Sequence, residues 1–244
     1  GTFDEELFRG RIVNMLDSGA DILDLGACST RPGSDSISEE EEWKRLEPAL
    51  NILASEHAGV KISIDTFRPA VVSRAFDIIG PFIVNDVSGG SEEMWSLLGR
   101  LHLPYIAMHT RGTPKNMQNL TDYDNVTEAV REFFVGIAAE ADRHGVEDWI
   151  LDPGFGFAKT VEQNWQLLRE MAVLQEFGKE ILVGLSRKSF LFRPLGITPA
   201  DALPATQVAD FIALQNGADI LRVHDVAEAV RTIKLYRLFN GVNN

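Results

Sequence analysis

Hydrophobic residues along the chain alternate between two spacings. Apolar positions three and four residues apart, which are typical of amphipathic helices, mark about eight segments. Short apolar runs, which are typical of buried strands, mark about seven segments. The strand predictions include ADILDLGA, VKISIDTF, FIVNDVSGG, PYIAMHT, DWILDPGFGF, EILVGLSRKSF and ADILRVHD. Because strands and helices follow one another in turn, the pattern indicates βαβ units and a parallel sheet.

The predicted fold class is α/β, in the form of a (β/α)8 TIM barrel. A closed barrel has a strand ahead of every helix, whereas this chain opens on a helical pattern that begins near Asp4. We therefore expect the first β-strand and the loop that follows it to be absent from this chain. An open doubly wound sheet, which needs no such strand, is the alternative. No shift in composition marks a second domain, so residues 1–244 are predicted to form a single domain.

Charge and cysteine content narrow the class of partner. The 244 residues carry a formal net charge of −13, which disfavours nucleic acid and anionic membranes because both are themselves negatively charged. No apolar run reaches the roughly 18 residues of a membrane span. The single cysteine, Cys28, is typical of a reducing compartment, so we expect a cytoplasmic protein. A small anionic substrate is compatible with this charge if basic residues are concentrated in one place.

Polar side chains are concentrated at one end of several predicted strands. In barrel enzymes the chemistry lies at the carboxyl ends of the strands and in the loops that follow. Those ends hold Asp65, Asn85, Met108, His109, Asp152, Arg187, Lys188, Arg222 and His224. The two carboxylates and the amide suit a flat heterocycle that presents several N–H donors. The lysine, arginine and histidine side chains suit an anion.

Each of these residues also has an ordinary structural interpretation. Asp65 could cap the next helix, Asn85 could form a turn, and Lys188 could be solvated. Asp24 lies inside a predicted strand, and no role is assigned to it. Ser186 is a poor candidate for a nucleophile because GLSRK lacks the second glycine of a nucleophile elbow. The sequence contains no P-loop, dinucleotide or zinc-binding motif.

Seven short motifs occur in order along the chain: STRPG, SIDT, NDVSGG, MHTRGTP, LDPGFGFAKT, SRKS and GADILRVHDV. Together they make the sequence resemble the dihydropteroate synthase family over essentially its whole length. The resemblance implies a (β/α)8 barrel. It also implies condensation of 6-hydroxymethyl-7,8-dihydropterin diphosphate with 4-aminobenzoate, which gives 7,8-dihydropteroate and diphosphate in folate biosynthesis. Mg²⁺ as a cofactor and a homodimer formed through the late helices are implied as well.

The resemblance further implies roles for individual residues. Catalysis is implied for Arg31, Lys188, Arg222 and His224; pterin binding for Asp65, Asn85, Val87, Met108, Asp152, Gly184 and Lys188; diphosphate binding for Arg222 and His224; and aminobenzoate binding for Thr30, Pro32, Phe157, Lys188 and Ser189. Cations fixed near the leaving diphosphate would lower the barrier, because negative charge builds up there as the carbon–oxygen bond breaks.

The chain departs from the family pattern at two places. The family's first strand and its N-x-T-x-D-S-F loop, with the asparagine associated with magnesium, are not in this sequence, so no metal ligand is predicted within the chain. Cys28 stands where many members have glutamate. Two other functions stay open: a methyltetrahydrofolate–corrinoid methyltransferase on the same scaffold, and a pterin-binding protein that has lost catalysis.

Overall fold

The computed structural model describes residues 3–27, 37–112 and 116–242. The helices are α1 (Glu5–Asp17), α2 (Glu39–Glu56), α3 (Pro69–Ile79), α4 (Glu92–Leu101), α5 (Val126–His144), α6 (Val161–Glu170), α7 (Ser189–Phe192), α8 (Leu203–Gln215) and α9 (Val226–Phe239). The strands are β1 (Ile22–Gly26), β2 (Lys61–Asp65), β3 (Ile83–Asp86), β4 (Tyr105–Met108), β5 (Trp149–Asp152), β6 (Leu182–Val183) and β7 (Ile220–Leu221). Short 3-10 helices cover Met117–Asn119, Met171–Phe177 and Pro199–Asp201.

The chain divides into two compact units. Unit 1 comprises the chain through Met108 together with Ile137–Trp149, and unit 2 comprises His109–Gly136 together with the chain from Ile150 onward. Each unit contains parallel strands and helices. The prediction of a single domain over residues 1–244 stays a prediction.

Unit 1 contains a parallel sheet in which β1, β2, β3 and β4 lie in sequence order. The register places Gly26 opposite Asp65, and Asp65 opposite Asn85. Val84 of β3 lies opposite Tyr105 of β4. The carboxyl ends of the first three strands therefore meet at one edge, which is where the sequence predicts polar functional side chains.

Helix α2 shows how sequence determines a helix in unit 1. Ser38 caps it by accepting a hydrogen bond from the Glu41 N–H at 3.2 Å, and the acidic first turn suits the helix dipole. Its apolar stripe, which includes Leu50 and Leu53, is buried in the core. Glu42 is also buried and forms an ion pair with Arg68 at the start of α3. That carboxylate therefore joins α2 to α3.

Unit 2 contains β5, β6 and β7 as short parallel strands. Leu151 forms a parallel bridge with Ile181, and Leu182 lies opposite Ile220. The fully buried side chains of this unit include Phe134, Phe155, Leu167, Leu168 and Leu185. Among the residues that the structure describes, none of the helices combines the length and the apolar character needed to cross a bilayer.

The predicted strands are longer than the observed ones, and the last two differ most. EILVGLSRKSF and ADILRVHD were predicted as continuous strands, but the strands are only Leu182–Val183 and Ile220–Leu221. The first run leaves the sheet because the Lys188 N–H closes a turn onto the Leu185 carbonyl oxygen at 3.1 Å. Arg187 in this turn has a positive φ of 53°, which strand pairing does not allow. Arg222 and His224 consequently lie just beyond a strand rather than within it.

Candidate active site

Asp65 and Asn85 lie next to each other at the carboxyl edge of the unit 1 sheet. Asp65 ends β2 and is in register with Asn85 of β3 and with Gly26 of β1. Gly26 leaves room for the carboxylate, because a Cβ at this position would lie 3.3 Å from Asp65 Cβ. The Thr66 N–H donates to the Asn85 carbonyl oxygen at 3.0 Å and extends the pairing beyond β2. Two predicted pterin-binding residues are thus adjacent.

The side chain of Asn85 is anchored by Asp24, a residue to which the sequence gave no role. Asn85 is only 2% exposed, and its amide nitrogen lies 3.3 Å from each carboxylate oxygen of Asp24 on β1. Asp24 is exposed and accepts a hydrogen bond from the Ser63 hydroxyl at 2.5 Å. The alternation of side chains along a strand was the signal that could have identified Asp24, because it shares a face with Gly26 two residues later.

Asp86 stabilises the turn that follows β3. One of its carboxylate oxygens accepts the Ser88 N–H at 2.7 Å and the Ser88 hydroxyl at 2.6 Å, and the other accepts the Tyr105 hydroxyl at 3.2 Å. Burial raises the pKa of Asp86, and these hydrogen bonds oppose the shift. Val87, a predicted pterin-pocket residue, lies in this turn and is half-buried. Met108, at the end of β4, is buried.

In unit 2, Asp152 and Arg222 form an ion pair. Arg222 Nη2 donates to Asp152 Oδ2 at 2.6 Å, and Asp152 Oδ1 accepts the Gly154 N–H at 2.9 Å. The Asp152 side chain is 1% exposed and that of Arg222 is 26% exposed. Gly184 leaves space for the guanidinium, because a Cβ there would lie 3.2 Å from Arg222 Nη2. The structure therefore brings Asp152, Gly184 and Arg222 together as one cluster.

Lys188 belongs to the same cluster. Its ammonium group donates to the Phe155 carbonyl oxygen and lies 4.9 Å from the centroid of the Phe157 ring. Burial lowers the pKa of Lys188 to about 7; Asp152 opposes this shift and Arg222 adds to it. Lys188 and Phe157, both predicted to shape the aminobenzoate site, thus form a cation–ring contact.

A second lysine, Lys159, lies inside this part of unit 2 and was not predicted. It is 5% exposed, and its Nζ lies 2.9 Å from His109 Nδ1, 2.9 Å from the Gly154 carbonyl oxygen and 3.2 Å from the Phe157 carbonyl oxygen. Burial lowers the pKa of Lys159 to about 7. Burial and the charge of Lys159 lower the pKa of His109 to about 2, so the imidazole is neutral and its Nδ1 accepts.

His224 is exposed and lies beyond β7. Its Nδ1 lies 2.9 Å from Ser186 Oγ. Ser186, which the sequence marks as a poor nucleophile candidate, therefore orients the imidazole. The next residue, Asp225, accepts hydrogen bonds from Arg187 at 2.9 and 3.0 Å, and this bonding lowers the pKa of Asp225. Arg187 therefore fixes the segment that presents His224. Ser189 is the first residue of α7 and is half-buried.

Three predicted site residues, Thr30, Arg31 and Pro32, lie outside the residues that the structure describes, as does Cys28. Their roles stay predictions. Of the other predicted residues, Asp65 and Asn85 are adjacent in unit 1, whereas the cluster in unit 2 contains Asp152, Phe157, Gly184, Lys188 and Arg222.

The candidate group of metal ligands among the residues that the structure describes does not suit the implied Mg²⁺. Within the described ranges, one group of His and Glu residues has donor atoms within 4.8 Å of one another, namely Glu92, Glu140 and His144 on α4 and α5. Arg143 donates to both carboxylates of this group and supplies the positive charge there. Mg²⁺ prefers oxygen ligands in near-octahedral geometry, so this group is not the magnesium site that the resemblance implies.

The sequence matches a family of known proteins over most of its length. A family profile described as "Pterin binding enzyme" matches residues 4–224. The dihydropteroate synthase of Synechocystis sp. is 42% identical over 226 residues, which cover 91% of this chain and 78% of that protein. The chain belongs to the dihydropteroate synthase family. The family predicted from the seven motifs is therefore confirmed, and the corrinoid methyltransferase alternative gains no support from these relatives.

Solved structures of dihydropteroate synthases share this fold. The Yersinia pestis enzyme, crystallised as a sulfonamide drug complex, is 33% identical and has a TM-score of 0.91 over 96% of this chain and 85% of that chain. The Thermus thermophilus enzyme in complex with 4-aminobenzoate is 36% identical and has a TM-score of 0.87 over 94% of this chain and 88% of that chain. These similarities confirm the predicted fold class, that of the (β/α)8 barrel enzymes.

Proposed function

We propose that this protein is a dihydropteroate synthase that condenses 6-hydroxymethyl-7,8-dihydropterin diphosphate with 4-aminobenzoate. Membership of the family supports this activity, as does the 4-aminobenzoate bound to the Thermus thermophilus relative. The observation that carries the proposal is the cluster of Asp152, Lys188 and Arg222 in unit 2. It combines an acceptor for ring N–H groups with cations for a leaving anion.

The charge of this cluster suits an anionic substrate. One buried carboxylate, Asp152, is accompanied by Arg222 and by two lysines, Lys159 and Lys188, whose pKa values are lowered to about 7. Positive charge therefore exceeds negative charge locally, although the chain as a whole has a net charge of −13. A diphosphate that binds here favours the protonated lysines, so binding and protonation reinforce each other.

The reaction depends on the leaving group more than on activation of the nucleophile. The amine of 4-aminobenzoate is a neutral nucleophile near pH 7. As the bond from the methylene carbon to the diphosphate oxygen breaks, its electron pair stays on that oxygen. The new carbon–nitrogen bond forms from the amine lone pair, and the nitrogen then loses a proton to solvent. Positively charged donors that face the departing oxygen lower this barrier, because they interact more strongly with the transition state than with the substrate.

We assign these steps to side chains of unit 2 as the resemblance implies. Arg222 and His224 hold the diphosphate, and Asp152 accepts hydrogen bonds from the pterin ring. Lys188 contacts the Phe157 ring, which shapes the aminobenzoate site. Its pKa is also affected by the charges of Asp152 and Arg222. In unit 1, the implied pterin contacts of Asp65, Asn85, Val87 and Met108 stay predictions, as do the roles of Gly184 and Ser189 in unit 2.

Arg222→Ala is the direct test of the diphosphate role. We expect kcat/KM for the pterin diphosphate to fall by about 100-fold or more, as for loss of a donor that faces developing charge. Arg231→Ala, which removes an exposed arginine on α9, is the matched control and should leave turnover unchanged. Arg222→Lys keeps a cation beside Asp152, so it protects the fold if the alanine variant is unstable. Wild-type turnover in the alanine variant would contradict the assignment.

A pterin-binding protein without catalysis is the remaining alternative. The same assay separates the two functions, because it follows both diphosphate release and 7,8-dihydropteroate formation. Binding of the pterin diphosphate without formation of dihydropteroate would favour the alternative. Sulfonamides offer an independent measurement, since the Yersinia pestis relative was crystallised with such a drug. We expect a sulfonamide to inhibit this protein in competition with 4-aminobenzoate.

We also propose that Mg²⁺ is needed for activity, although the group of Glu92, Glu140 and His144 does not suit it. Mg²⁺ binds phosphate oxygens readily and keeps several waters, so it can enter with the diphosphate of the substrate. Activity should be lost with EDTA and restored by added Mg²⁺. Full activity in EDTA would remove magnesium from the proposal.

We further propose a homodimer formed through α8 and α9. Large apolar side chains are exposed on these helices and just beyond them: Val208, Leu235, Leu238, Phe239 and Val242 are between 56% and 77% exposed. Exposed apolar patches of this kind are typical of interfaces. The expected cytoplasmic location stays a prediction.

A further inference from the structure

In the side-chain amide of Asn85, the nitrogen has hydrogen-bond partners and the oxygen has none among the described residues. Its nitrogen donates to both carboxylate oxygens of Asp24 at 3.3 Å. Its oxygen, Oδ1, is buried and has no hydrogen-bond partner among the residues that the structure describes. A buried polar atom without a partner is costly, so this oxygen points to a ligand that donates a hydrogen bond.

Asp24 determines which end of the amide is presented. A carboxylate only accepts hydrogen bonds, so the –NH₂ end of Asn85 must face it. Rotation of the amide by half a turn would place the Asn85 oxygen against the carboxylate, and the two acceptors would repel each other. The backbone supports this arrangement, because β1 and β3 both pair with β2, which lies between them.

We propose that Asp24 is a positioning residue that fixes the amide of Asn85 so that its oxygen accepts an N–H of a heterocyclic substrate. The inference rests on the proposed function only in identifying that heterocycle as the dihydropterin ring. The arrangement selects for a ring that presents a donor at this place. A ring that presents a lone pair there meets an acceptor that cannot turn, and it is rejected.

Ser63 provides a matched control for this inference. Its hydroxyl donates to Asp24 Oδ1 at 2.5 Å, so Ser63 supports the same carboxylate from β2 without contacting the amide of Asn85. If Asp24 only stabilised the pairing of β1 and β2, loss of either Ser63 or Asp24 would have similar effects. If Asp24 orients Asn85, only the change at position 24 weakens substrate binding.

The first experiment is Asp24→Asn, which keeps the shape of the side chain and removes its preference for a donor. The new amide can accept from Asn85 or donate to it, so both orientations of Asn85 become populated. We expect the Kd and the KM for 6-hydroxymethyl-7,8-dihydropterin diphosphate to rise about tenfold, which corresponds to loss of one hydrogen bond. The KM for 4-aminobenzoate should stay within about twofold, and Ser63→Ala should leave both constants within about twofold.

An exchange of the two side chains gives a sharper readout. Asn85→Asp alone places two carboxylates side by side, and we expect it to lose affinity for the pterin diphosphate. In the double variant Asp24→Asn/Asn85→Asp, the new amide donates to the new carboxylate, whose second oxygen again faces the ligand as an acceptor. The double variant should therefore bind more tightly than either single variant. Additive losses in the double variant would overturn the inference.

Binding measured by calorimetry without 4-aminobenzoate separates this inference from the proposed function. If the wild-type protein does not bind the pterin diphosphate, the proposed function fails. If the wild type binds and Asp24→Asn binds equally well, only the role of Asp24 fails.

Should the variants not fold, nuclear magnetic resonance of the wild type still tests the inference. The Asn85 side-chain NH₂ signals should stay largely unchanged when the pterin diphosphate is added, whereas a large shift would show that the –NH₂ end faces the ligand.

Discussion

The buried side chain of Lys159 holds the loop between β5 and α6 by hydrogen bonds. A protonated lysine has three donors, and Lys159 has three acceptors around it, two carbonyl oxygens and the imidazole of His109. The two carbonyl groups belong to Gly154 and Phe157, in the loop that follows Asp152. One side chain therefore holds the loop that positions the carboxylate and the aromatic ring of the proposed site.

Replacement of this lysine tests its contribution to stability. Lys159→Met keeps the length of the side chain but leaves three buried acceptors without their donor, so we expect the free energy of unfolding to fall by about 2 kcal/mol. Lys234→Met, at an exposed position on α9, is the control and should change it by less than about 0.5 kcal/mol. Urea unfolding followed by circular dichroism measures both. Equal stability of the two variants would contradict this role for Lys159.

Asp210 on α8 should make stability depend on pH. Burial raises the pKa of this carboxyl from 3.8 to about 7 in the folded protein. Above pH 7 the folded chain therefore carries a buried negative charge, and the resulting loss of stability shrinks gradually as the pH falls from about 7 towards 3.8, where the unfolded chain also binds the proton.

Asp210→Asn isolates this cost. The variant should gain stability relative to the wild type at pH 8, and that gain should shrink by about 2 kcal/mol between pH 8 and pH 5. Thermal unfolding at several pH values measures the difference. Asp142→Asn, at an exposed position on α5, controls for the change in net charge. A gain that does not vary with pH would show that the carboxyl does not titrate in this range.

The predicted and observed site residues differ for a physical reason. Asp65, Asn85, Asp152, Lys188 and Arg222 were identified because each follows an apolar run at a strand end. Asp24 and Lys159 were missed because their environments depend on partners distant in sequence. A strand aspartate is oriented by the neighbouring strands, and a loop lysine is ordinarily solvated. The local pattern shows that Asp24 shares a face with Gly26, but it does not show which side chain Asp24 contacts, and it gives no signal that Lys159 is buried.

At the scale of secondary structure, the pattern located the seven strands that the structure describes but overestimated their lengths, most of all for the last two. The segment SRKSF, which follows Gly184 and Leu185 beyond the end of β6, contains no Gly, Pro, Asn or Asp residue of the kind that indicates a turn. The turn is made instead by the Arg187 N–H, which donates to the Thr206 hydroxyl at 3.0 Å, and by the Arg187 side chain, which bonds to Asp225. These partners lie 19 and 38 residues away in the sequence. Local propensity alone therefore could not place the boundary.

The start of α6 is encoded locally and can be tested locally. Thr160 accepts the Gln163 N–H at 3.2 Å, and the Gln163 side chain accepts the Thr160 N–H at 2.8 Å, which completes a capping box. Thr160→Ala removes the hydroxyl and should lower the free energy of unfolding by about 1 kcal/mol. Thr160→Ser keeps the hydroxyl and should retain most of that stability. Equal losses in both variants would show that the methyl group, and not the cap, is what matters.

At the scale of the whole molecule, the proposed homodimer can be tested directly. The chain has a mass of 27.0 kDa, so a dimer should appear at twice this mass in light scattering. Leu238→Glu places a charge on the most exposed of the large apolar side chains of α9, which is 77% exposed, and should give a monomer. Leu7→Glu alters a leucine on α1 that is 53% exposed and should leave the dimer intact. A wild-type mass of one chain would exclude the dimer.

The two lysines with lowered pKa values also differ in chemical reactivity. An amine reacts with electrophiles only in its neutral form, and the lowered pKa of Lys188 increases the neutral share of this amine near neutral pH. Lys188 is partly exposed, whereas Lys159 is sealed inside unit 2. A limiting amount of an acylating reagent should therefore modify Lys188 ahead of exposed lysines such as Lys61, and should spare Lys159. Peptide mapping by mass spectrometry measures this order, and bound diphosphate should slow the modification. The same amine is a natural attachment point for a covalent inhibitor.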